Sequence, residues 1–240
     1  MICGKNPVIE ALKAGRPINK VLAASGQDAG FLSRVRRLCR EAGVPFLQVE
    51  RASLDAEYPH HRGVVALSAP FEYAEVGDIL AAAAAKGEPP LIVVLAGVED
   101  PHNLGAVLRT AEGVGAHGVI IARHGAAPLN NTAVQVAAGA AEYVPVARVS
   151  SIAACLADLQ KQGVWVCGTR MEQAEDFWQA DFTMPLALVM GSEGKGLPPL
   201  VAKNCDFFVK IPMRGRINSF NVSVSCGILL GEALRQRMIK

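Results

Sequence analysis

The sequence predicts an α/β protein of two units, a small one over residues 1–70 and a larger one over residues 77–240, joined by a linker at 71–76. In both units short apolar runs alternate with helical patterns. In the larger unit the spacing of this alternation favours a mainly parallel sheet covered on both faces. Between the units, "PFEYAEVGD" breaks the alternation with proline, aromatic and acidic residues, which is typical of a linker.

The small unit is expected to contain two helices and three strands. The helical patterns are "PVIEALKAG" and "FLSRVRRLCREAG", and the apolar runs are "INKVLAAS", "VPFLQV" and "GVVALSA". In the second helix an apolar stripe is predicted to face inward, formed by Leu32, Val35, Cys39 and Ala42. The remaining faces carry four arginines: Arg34, Arg36, Arg37 and Arg40.

The charge of the chain is concentrated in the small unit. The net charge is +2, but residues 1–70 hold ten Lys and Arg against six Asp and Glu, whereas residues 71–240 hold fourteen against sixteen. The arginine-rich helix therefore has two interpretations. It is either an ordinary solvated face or a phosphate-binding surface for RNA.

The larger unit is expected to begin with a helix in "DILAAAAAKG". Strands are then predicted at "LIVVLAG", "GVIIA", "VWVCG", "LALVMG" and "FFVKIP", with helices between most of them. In such sheets ligands bind in the loops that follow the carboxyl ends of the strands. Three of these loops are unusual, namely those after "LIVVLA", "LALVM" and "FFVKIP".

Composition excludes several other classes of protein. The longest apolar stretch, "LIVVLAGV", is too short to cross a bilayer, and the first residues show no secretory signal, so a cytoplasmic location is expected. The six cysteines are far apart, with no Cys-x-x-Cys pair and no His at ligand spacing, so no metal site is expected. They are expected to be reduced and to act as small apolar residues.

The first loop leads into "NLGAVLRTAEGVGA". Asn103 is predicted to cap this helix, and a buried face is expected from Leu104, Val107, Leu108, Ala111 and Val114. Arg109 then lies on another side of the helix. Gly105 and Ala106 would allow another chain or a ligand to approach closely.

The second and third loops also carry polar or glycine-rich sequences. "GSEGKGLPPL" is not a nucleotide-binding P-loop, because no hydroxyl residue follows Lys195, and no dinucleotide fingerprint follows the strand at 91–96. Three glycines around Glu193 still predict a tight turn. The third loop leads into a helix whose apolar stripe is expected from Val222, Cys226, Leu229 and Ala233. The first two turns of this helix are predicted to carry Ser219, Asn221, Ser223 and Ser225.

Together, "NLGAVLRTA", "LVMGSEGKGL" and "IPMRGRINSFNVSVS" resemble the three motifs of the SpoU-type ribose 2'-O-methyltransferases of the SPOUT superfamily. The front unit is similar to the ribosomal-protein-like RNA-binding domain of these enzymes, with "GKNPVIEALKAG" as its opening. The resemblance covers nearly the whole chain. It is nearest to the bacterial enzymes that methylate a guanosine ribose in 23S ribosomal RNA, while other members of the family methylate transfer RNA.

The resemblance implies a parallel-sheet methyltransferase domain with a deep C-terminal trefoil knot, S-adenosylmethionine as cofactor, and a homodimer. The residues implied to contact the cofactor are Gly191, Ile211, Met213, Phe220 and Asn221. Those implied to surround the reacting groups are Asn103, Arg109, Glu193, Ser219 and Asn221. Phe220 departs from the family, which usually has Leu there.

Some roles stay open. Arg109 would act as a phosphate clamp and stabiliser of alkoxide charge, or as the base, and Glu193 would either act on the substrate or hold its loop. The small-residue helices "LGAVLRTAEGVGA" and "NTAVQVAAGAAE" give weak support for dimer packing. Two rival functions are a non-catalytic RNA-binding protein and a nucleotide-dependent enzyme.

Overall fold

The computed structural model describes residues 1–16, 18–68, 71–192, 194–216 and 219–239. In the small unit, a four-stranded sheet has the order β1-β4-β2-β3, with β2 antiparallel to β4 and parallel to β3. Its elements are β1 (Ile2–Cys3), α1 (Lys5–Lys13), β2 (Ile18–Ala24), α2 (Ala29–Glu41), β3 (Phe46–Val49), α3 (Arg51–Glu57) and β4 (Val64–Ser68).

All five predicted elements of the small unit are confirmed, but β1 and α3 escaped the sequence analysis. β1 is two residues long, and α3 buries only Leu54 within its span, so neither produces a periodic pattern. In α2, Val35 and Cys39 are buried as predicted and Leu32 is half-buried. The prediction for Ala42 is wrong, because this residue is the exposed C-cap of the helix.

The larger unit contains a seven-stranded sheet of order β7-β6-β5-β10-β8-β11-β9, in which every pairing is parallel. Its strands are β5 (Leu91–Ala96), β6 (Gly118–Ala122), β7 (Val146–Val149), β8 (Trp165–Thr169), β9 (Glu175–Asp176), β10 (Leu186–Gly191) and β11 (Phe207–Lys210). Its helices are α4 (Val76–Lys86), α5 (Pro101–Gly113), α6 (Asn131–Ala137), α7 (Ile152–Lys161), α8 (Pro199–Ala202) and α9 (Val222–Met238).

The five predicted strands of this sheet are confirmed, and β7 and β9 were missed. Arg148 interrupts the apolar pattern of β7, and β9 is a two-residue strand of acidic residues. The predicted parallel α/β class is therefore confirmed. The trefoil knot remains a prediction from the family resemblance.

Both faces of the large sheet are covered, as expected. One face packs against α5, α6 and α9, and the other against α4, α7 and α8. Val93 and Leu95 of β5 point to the first layer, and Ile92 and Val94 point to the second. The central strands are thus buried on both sides, which leaves the loops at the carboxyl edge to form a site.

Residues 71–76, predicted as a linker, run along the edge of the large sheet. The Ala74 amide donates to the carbonyl of Val146 at 2.9 Å, and Ala74 forms a parallel bridge with Ala147. α4 begins at Val76 with a capping box between Glu75 and Asp78. In the described part of the chain, no helix combines the length and apolar character that crossing a membrane requires.

Candidate active site

The loops after β5, β10 and β11 meet at the carboxyl edge of the large sheet. A cavity of about 350 Å³ opens there, lined by the loops after β10 and β11, the end of β8 and the start of α9, and none of its described lining residues comes from the loop after β5. Among the residues predicted to contact a cofactor or substrate, the following line the cavity: Gly191, Ile211, Met213, Ser219 and Phe220. Other walls that the sequence analysis did not identify are Thr169, Arg170, Met190, Val209 and Leu229.

The second loop forms the predicted tight turn. Ser192 and Gly196 exchange two backbone hydrogen bonds, at 3.0 and 3.1 Å, and Gly194 and Gly196 have φ angles of 82° and 63°. A Cβ at Gly191 would lie 2.4 Å from the carbonyl carbon of Gly196. A side chain at Gly191 would therefore displace the returning loop. Glu193 lies outside the described residues, and its role stays a prediction.

The third loop supplies polar side chains just before α9. The helix begins at Val222 with Asn221 as its N-cap, so the prediction that Ser219 and Asn221 lie within its first turns is wrong. The Asn221 Oδ1 accepts from the amide of Ser223 at 2.9 Å and from its hydroxyl at 2.6 Å. Ser225, in the first turn, lines the cavity. The apolar stripe of this helix is buried as predicted.

Asn103 connects the first loop with the third. Its Oδ1 accepts a hydrogen bond from the Asn221 Nδ2 at 2.9 Å. The prediction that Asn103 caps α5 is wrong, because the N-cap is Asp100, which accepts from the amide of His102 at 2.9 Å. Pro101 occupies the first helical position, which suits a residue without an amide hydrogen. Asn103 thus lies in the first turn of α5, directed towards the third loop.

Arg109 is exposed on α5, away from the face formed by Leu104, Val107, Leu108 and Ala111. It is not among the described residues that line the cavity. It lies six positions after Asn103, which corresponds to about 9 Å along a helix. Val114, predicted on the buried face, is half-buried because it caps the end of the helix.

Gly105 serves packing within the chain. A Cβ there would lie 2.5 Å from the carbonyl oxygen of Ala133 and 2.7 Å from the Cβ of Val136, both in α6. The two small-residue helices therefore pack against each other, and Gly105 leaves no approach for a ligand. The support that these helices gave for dimer packing is accordingly lost.

Charged groups at the cavity differ in their partners. The Lys210 Nζ lies 3.7 Å from the Asp176 Oδ1, whereas the Arg170 guanidinium stacks 3.5 Å from the centre of the Phe208 ring.

Neither a reactive thiol nor a metal site is found at the cavity among the described residues. Cys226 of α9 is buried behind the cavity lining, and burial raises the pKa of its thiol to about 12, so this thiol stays protonated and unreactive at neutral pH. Among the described residues, no group of three His, Cys, Asp or Glu side chains is placed to hold a metal ion.

A second surface lies on α2, in the small unit. Three of the four predicted arginines, Arg36, Arg37 and Arg40, line a groove of about 410 Å³ together with Gln48. The Arg36 guanidinium donates to the Gln48 Oε1 at 2.9 Å and stacks 5.3 Å from the centre of the Phe46 ring. Arg34 lies about 160° around the helix from Arg36 and does not line this groove. We call this surface, defined by Arg36, Arg37, Arg40 and Gln48, the arginine groove.

Comparison with known proteins identifies both units. A family model described as the SpoU rRNA methylase family matches residues 90–231, and one described as RNA 2'-O ribose methyltransferase substrate binding matches residues 1–74. The Bacillus subtilis protein YacO, assigned by its name to the TrmH family of tRNA/rRNA methyltransferases, is 44% identical over 98% of this chain and 95% of its own length. A Staphylococcus aureus relative with the same family name is 39% identical over 99% of this chain and 96% of its own.

Solved structures give the same result. The SpoU methyltransferase AviRb from Streptomyces viridochromogenes, in complex with the cofactor AdoMet, superposes with a TM-score of 0.83 at 26% identity. That superposition covers 100% of this chain and 90% of AviRb. The AdoMet-bound rRNA methyltransferase from Sinorhizobium meliloti superposes with a TM-score of 0.76 at 26% identity, over 97% of this chain and 85% of that protein.

Proposed function

Because the chain belongs to the SpoU family of RNA methyltransferases, we propose that it transfers a methyl group from S-adenosylmethionine to a ribose 2'-hydroxyl of structured RNA. The first target we propose is a guanosine of 23S ribosomal RNA, and the alternative is a transfer RNA ribose, since the bacterial relatives are named for both RNAs. The cavity formed by the second and third predicted loops, the end of β8 and the start of α9 carries this proposal. With such substrates the protein would act in the cytoplasm.

The residues of the cavity fit the proposed cofactor. An adenosyl group is flat and largely apolar with polar edges, and the cavity offers apolar walls from Ile211, Phe220 and Leu229. The turn at 191–196 and the segment at 211–213 place main-chain groups beside these walls. Gly191, Ile211, Met213, Phe220 and Asn221 would hold the group. When bound, it supplies an activated sulfonium methyl, so no metal is needed for the transfer.

The chain's own task is to position the ribose and to control the proton of its hydroxyl. Asn103 and Asn221 are joined by a hydrogen bond at 2.9 Å, and Ser219 lines the cavity beside them. Short side chains of this kind supply hydrogen bonds without filling the space that a ribose needs. We assign these three residues to binding the target ribose.

Arg109 is proposed to act on the phosphate next to the target or on the developing alkoxide. A guanidinium keeps its proton at physiological pH, so a role as base is disfavoured. Because Arg109 stands on the outer side of α5, outside the cavity of its own chain, we propose that it completes the site of a partner subunit.

A homodimer would provide that arrangement. α5 and α9 pack side by side, with a Cβ at Gly227 lying 3.8 Å from the Thr110 side chain. Val224, in the first turn of α9, is 49% exposed, and Phe220 just before it is 39% exposed. A second copy covering this face would bury both. Light scattering should give about twice the chain mass of 25.3 kDa. A mass equal to that of one chain would contradict the dimer.

Calorimetry separates this function from its two rivals. Binding of S-adenosylmethionine, without binding of NAD or ATP, supports the methyltransferase. Binding of NAD or ATP supports a nucleotide-dependent enzyme, and binding of RNA alone supports a non-catalytic RNA-binding protein. The target is then found by comparing alkali-resistant linkages in total RNA from cells with and without the gene, because a ribose 2'-O-methyl group blocks cleavage at that linkage.

A further inference from the structure

The small unit is packed against the methyltransferase unit through a continuous apolar contact. Ile2, Val8 and Leu12 of the small unit belong to the same buried cluster as Ala137 and Ala140 of the larger one. At Gly139 the backbone has a φ of 105°, and a Cβ there would lie 2.5 Å from the Glu10 side chain. A side chain at Gly139 would therefore force Glu10 to move and would strain the backbone.

A buried ion pair crosses the same contact. The Arg16 Nη1 lies 2.9 Å from the Glu142 Oε1, and the two side chains are only 13% and 4% exposed. Arg16 also stacks 4.6 Å from the centre of the Phe71 ring, in the linker. Burial raises the pKa of the Glu142 carboxyl, and Arg16 opposes that shift only in part. Such a pair adds little net stability, but it can fix the relative orientation of the groups that carry it.

The Tyr73 side chain holds the linker against the larger unit through both its hydroxyl and its ring. The Tyr73 hydroxyl accepts from the amide of Leu129 at 3.0 Å, and the Arg148 guanidinium lies 4.7 Å from the centre of its ring. The next residue, Ala74, is bonded to the edge strand β7 through Val146. These contacts leave the linker without the freedom of a flexible tether.

We infer that the small unit and the methyltransferase unit form one rigid body, in which the Arg16–Glu142 pair sets the position of the arginine groove relative to the cavity and thereby selects the nucleotide that is methylated. The inference rests on the proposed function. A flexible tether would let bound RNA present any nucleotide within reach, whereas a rigid support presents the one at a fixed distance from the groove. Arg16 and Glu142 are thus positioning residues that act on specificity.

The test uses the full chain and the variant Glu142→Gln, which removes the charge but keeps the size of the side chain. Affinity for RNA and for S-adenosylmethionine should stay unchanged, because neither the groove nor the cavity is altered. Single-turnover methyl transfer at the normal nucleotide should fall about tenfold to a hundredfold, as expected when reacting groups are displaced by about 1 Å. Methylation of neighbouring nucleotides should appear, and the double exchange of charges, Arg16→Glu with Glu142→Arg, should reverse part of both effects.

Amide hydrogen exchange reports the orientation without any activity. The amides of Ala74 and Leu129, whose hydrogen bonds join the linker next to Phe71 to the larger unit, should exchange slowly in the wild type and faster in Glu142→Gln, because loss of the charge on Glu142 frees Arg16 from its position on Phe71. Asp158→Asn is the matched control, because it removes the charge of an exposed pair with Lys161 in α7. This control should change neither exchange nor specificity.

The outcomes separate this inference from the proposed function. If the wild type neither binds S-adenosylmethionine nor methylates RNA, the proposed function is wrong. The amide exchange rates of Ala74 and Leu129 in the wild type and in Glu142→Gln still test whether the two units form one rigid body. The inference is overturned if Glu142→Gln keeps wild-type exchange, rate and target. A loss of cofactor affinity in proportion to activity would also overturn it, since the pair would then be merely structural. If Glu142→Gln does not fold, Tyr143→Phe tests the rigidity of the same contact, because this half-exposed side chain bonds to Glu10 across it, and unchanged exchange and target in this variant would then overturn the inference.

Discussion

The cavity and the arginine groove are built in opposite ways. The cavity is shaped by main chain, namely a two-glycine turn, an irregular segment after β11 and the start of a helix. The groove is made of long charged side chains on one face of α2. The first arrangement suits one small ligand of fixed shape, and the second suits a polyanion held by charge. Substitutions in the cavity should therefore affect cofactor binding, and substitutions in the arginine groove should affect RNA binding.

The largest effect is expected at Arg109, which belongs to neither surface of its own chain. Arg109→Ala should fold and bind cofactor normally, because the residue lies off the buried face of α5. Methyl transfer should fall by about 10² to 10³, the usual cost of losing a positioned charge in the transition state. Arg109→Lys should restore little if a fork of donors is required.

A single-turnover assay with saturating RNA and cofactor measures this step. Lys86→Ala, an exposed cation in the last turn of α4, is the control and should behave as the wild type. Near-normal transfer by Arg109→Ala would remove this residue from the active site. A parallel loss of cofactor affinity would make its role structural.

Gly191→Ala should damage the cavity alone. The new Cβ would meet the backbone of Gly196 at 2.4 Å, so the turn at 192–196 must move. We expect cofactor affinity to fall by about tenfold or more, corresponding to roughly 1.4 kcal/mol or more, with RNA affinity unchanged. Gly77→Ala is the matched control, since a Cβ there meets nothing within 4 Å. Unchanged cofactor binding by Gly191→Ala in calorimetry would place the cofactor elsewhere.

Substitutions of the arginines in the groove should affect RNA binding and leave cofactor binding unchanged. Replacing Arg36, Arg37 or Arg40 by Gln should weaken RNA binding and reduce the slope of log affinity against log salt by up to about one unit for each lost phosphate contact. Arg34→Gln is the control from the same helix, because Arg34 does not line the groove. If all four variants behave alike in salt titrations of RNA binding, the groove is not the binding surface.

The smallest effect concerns stability and lies far from both surfaces. His117 is buried, its Nδ1 accepts from the Leu91 amide at 3.0 Å, and its Nε2 faces Glu88 at 3.2 Å. Burial lowers its pKa, and protonation of Nδ1 would break the bond to Leu91. The unfolded chain then binds this proton more readily, so stability is lost as the pH falls below about 6.5.

The free energy of unfolding should fall by at most about 1.4 kcal/mol per pH unit, which is the limit for one proton. Chemical denaturation of the wild type and His117→Asn at several pH values measures it, and the variant should show a shallower pH dependence. His124→Asn, at an exposed histidine, is the control. Equal pH dependence in the wild type and His117→Asn would contradict the role of the unprotonated Nδ1 as acceptor from the Leu91 amide.

The sequence predicted the fold class and two of the loops that line the cavity, because both depend on strong local patterns. Continuous apolar strands such as β5 and β10 are visible in the sequence, and the glycines and short polar residues that follow them mark the loops. Asn103 was predicted as the N-cap of α5 but lies in its first turn, because capping preference does not show that Pro101 already starts the helix.

Features that depend on distant residues could not be predicted. The partner of Gly105 is α6, the partner of Arg16 is Glu142, and the partner of Arg36 is Gln48 of β3. None of these pairings has a local pattern in the sequence. These features are determined by long-range packing, which local patterns in the sequence do not indicate.

The central claim is that the cavity serves methyl transfer to a ribose hydroxyl. The most direct measurement incubates the full chain with methyl-labelled S-adenosylmethionine and ribosomal or transfer RNA, and then hydrolyses the RNA with alkali. The label should be recovered in alkali-resistant dinucleotides, because a 2'-O-methyl group prevents cleavage at that linkage. Label recovered in ordinary mononucleotides, which would indicate base methylation, or no label in any RNA although the cofactor binds, would contradict the account.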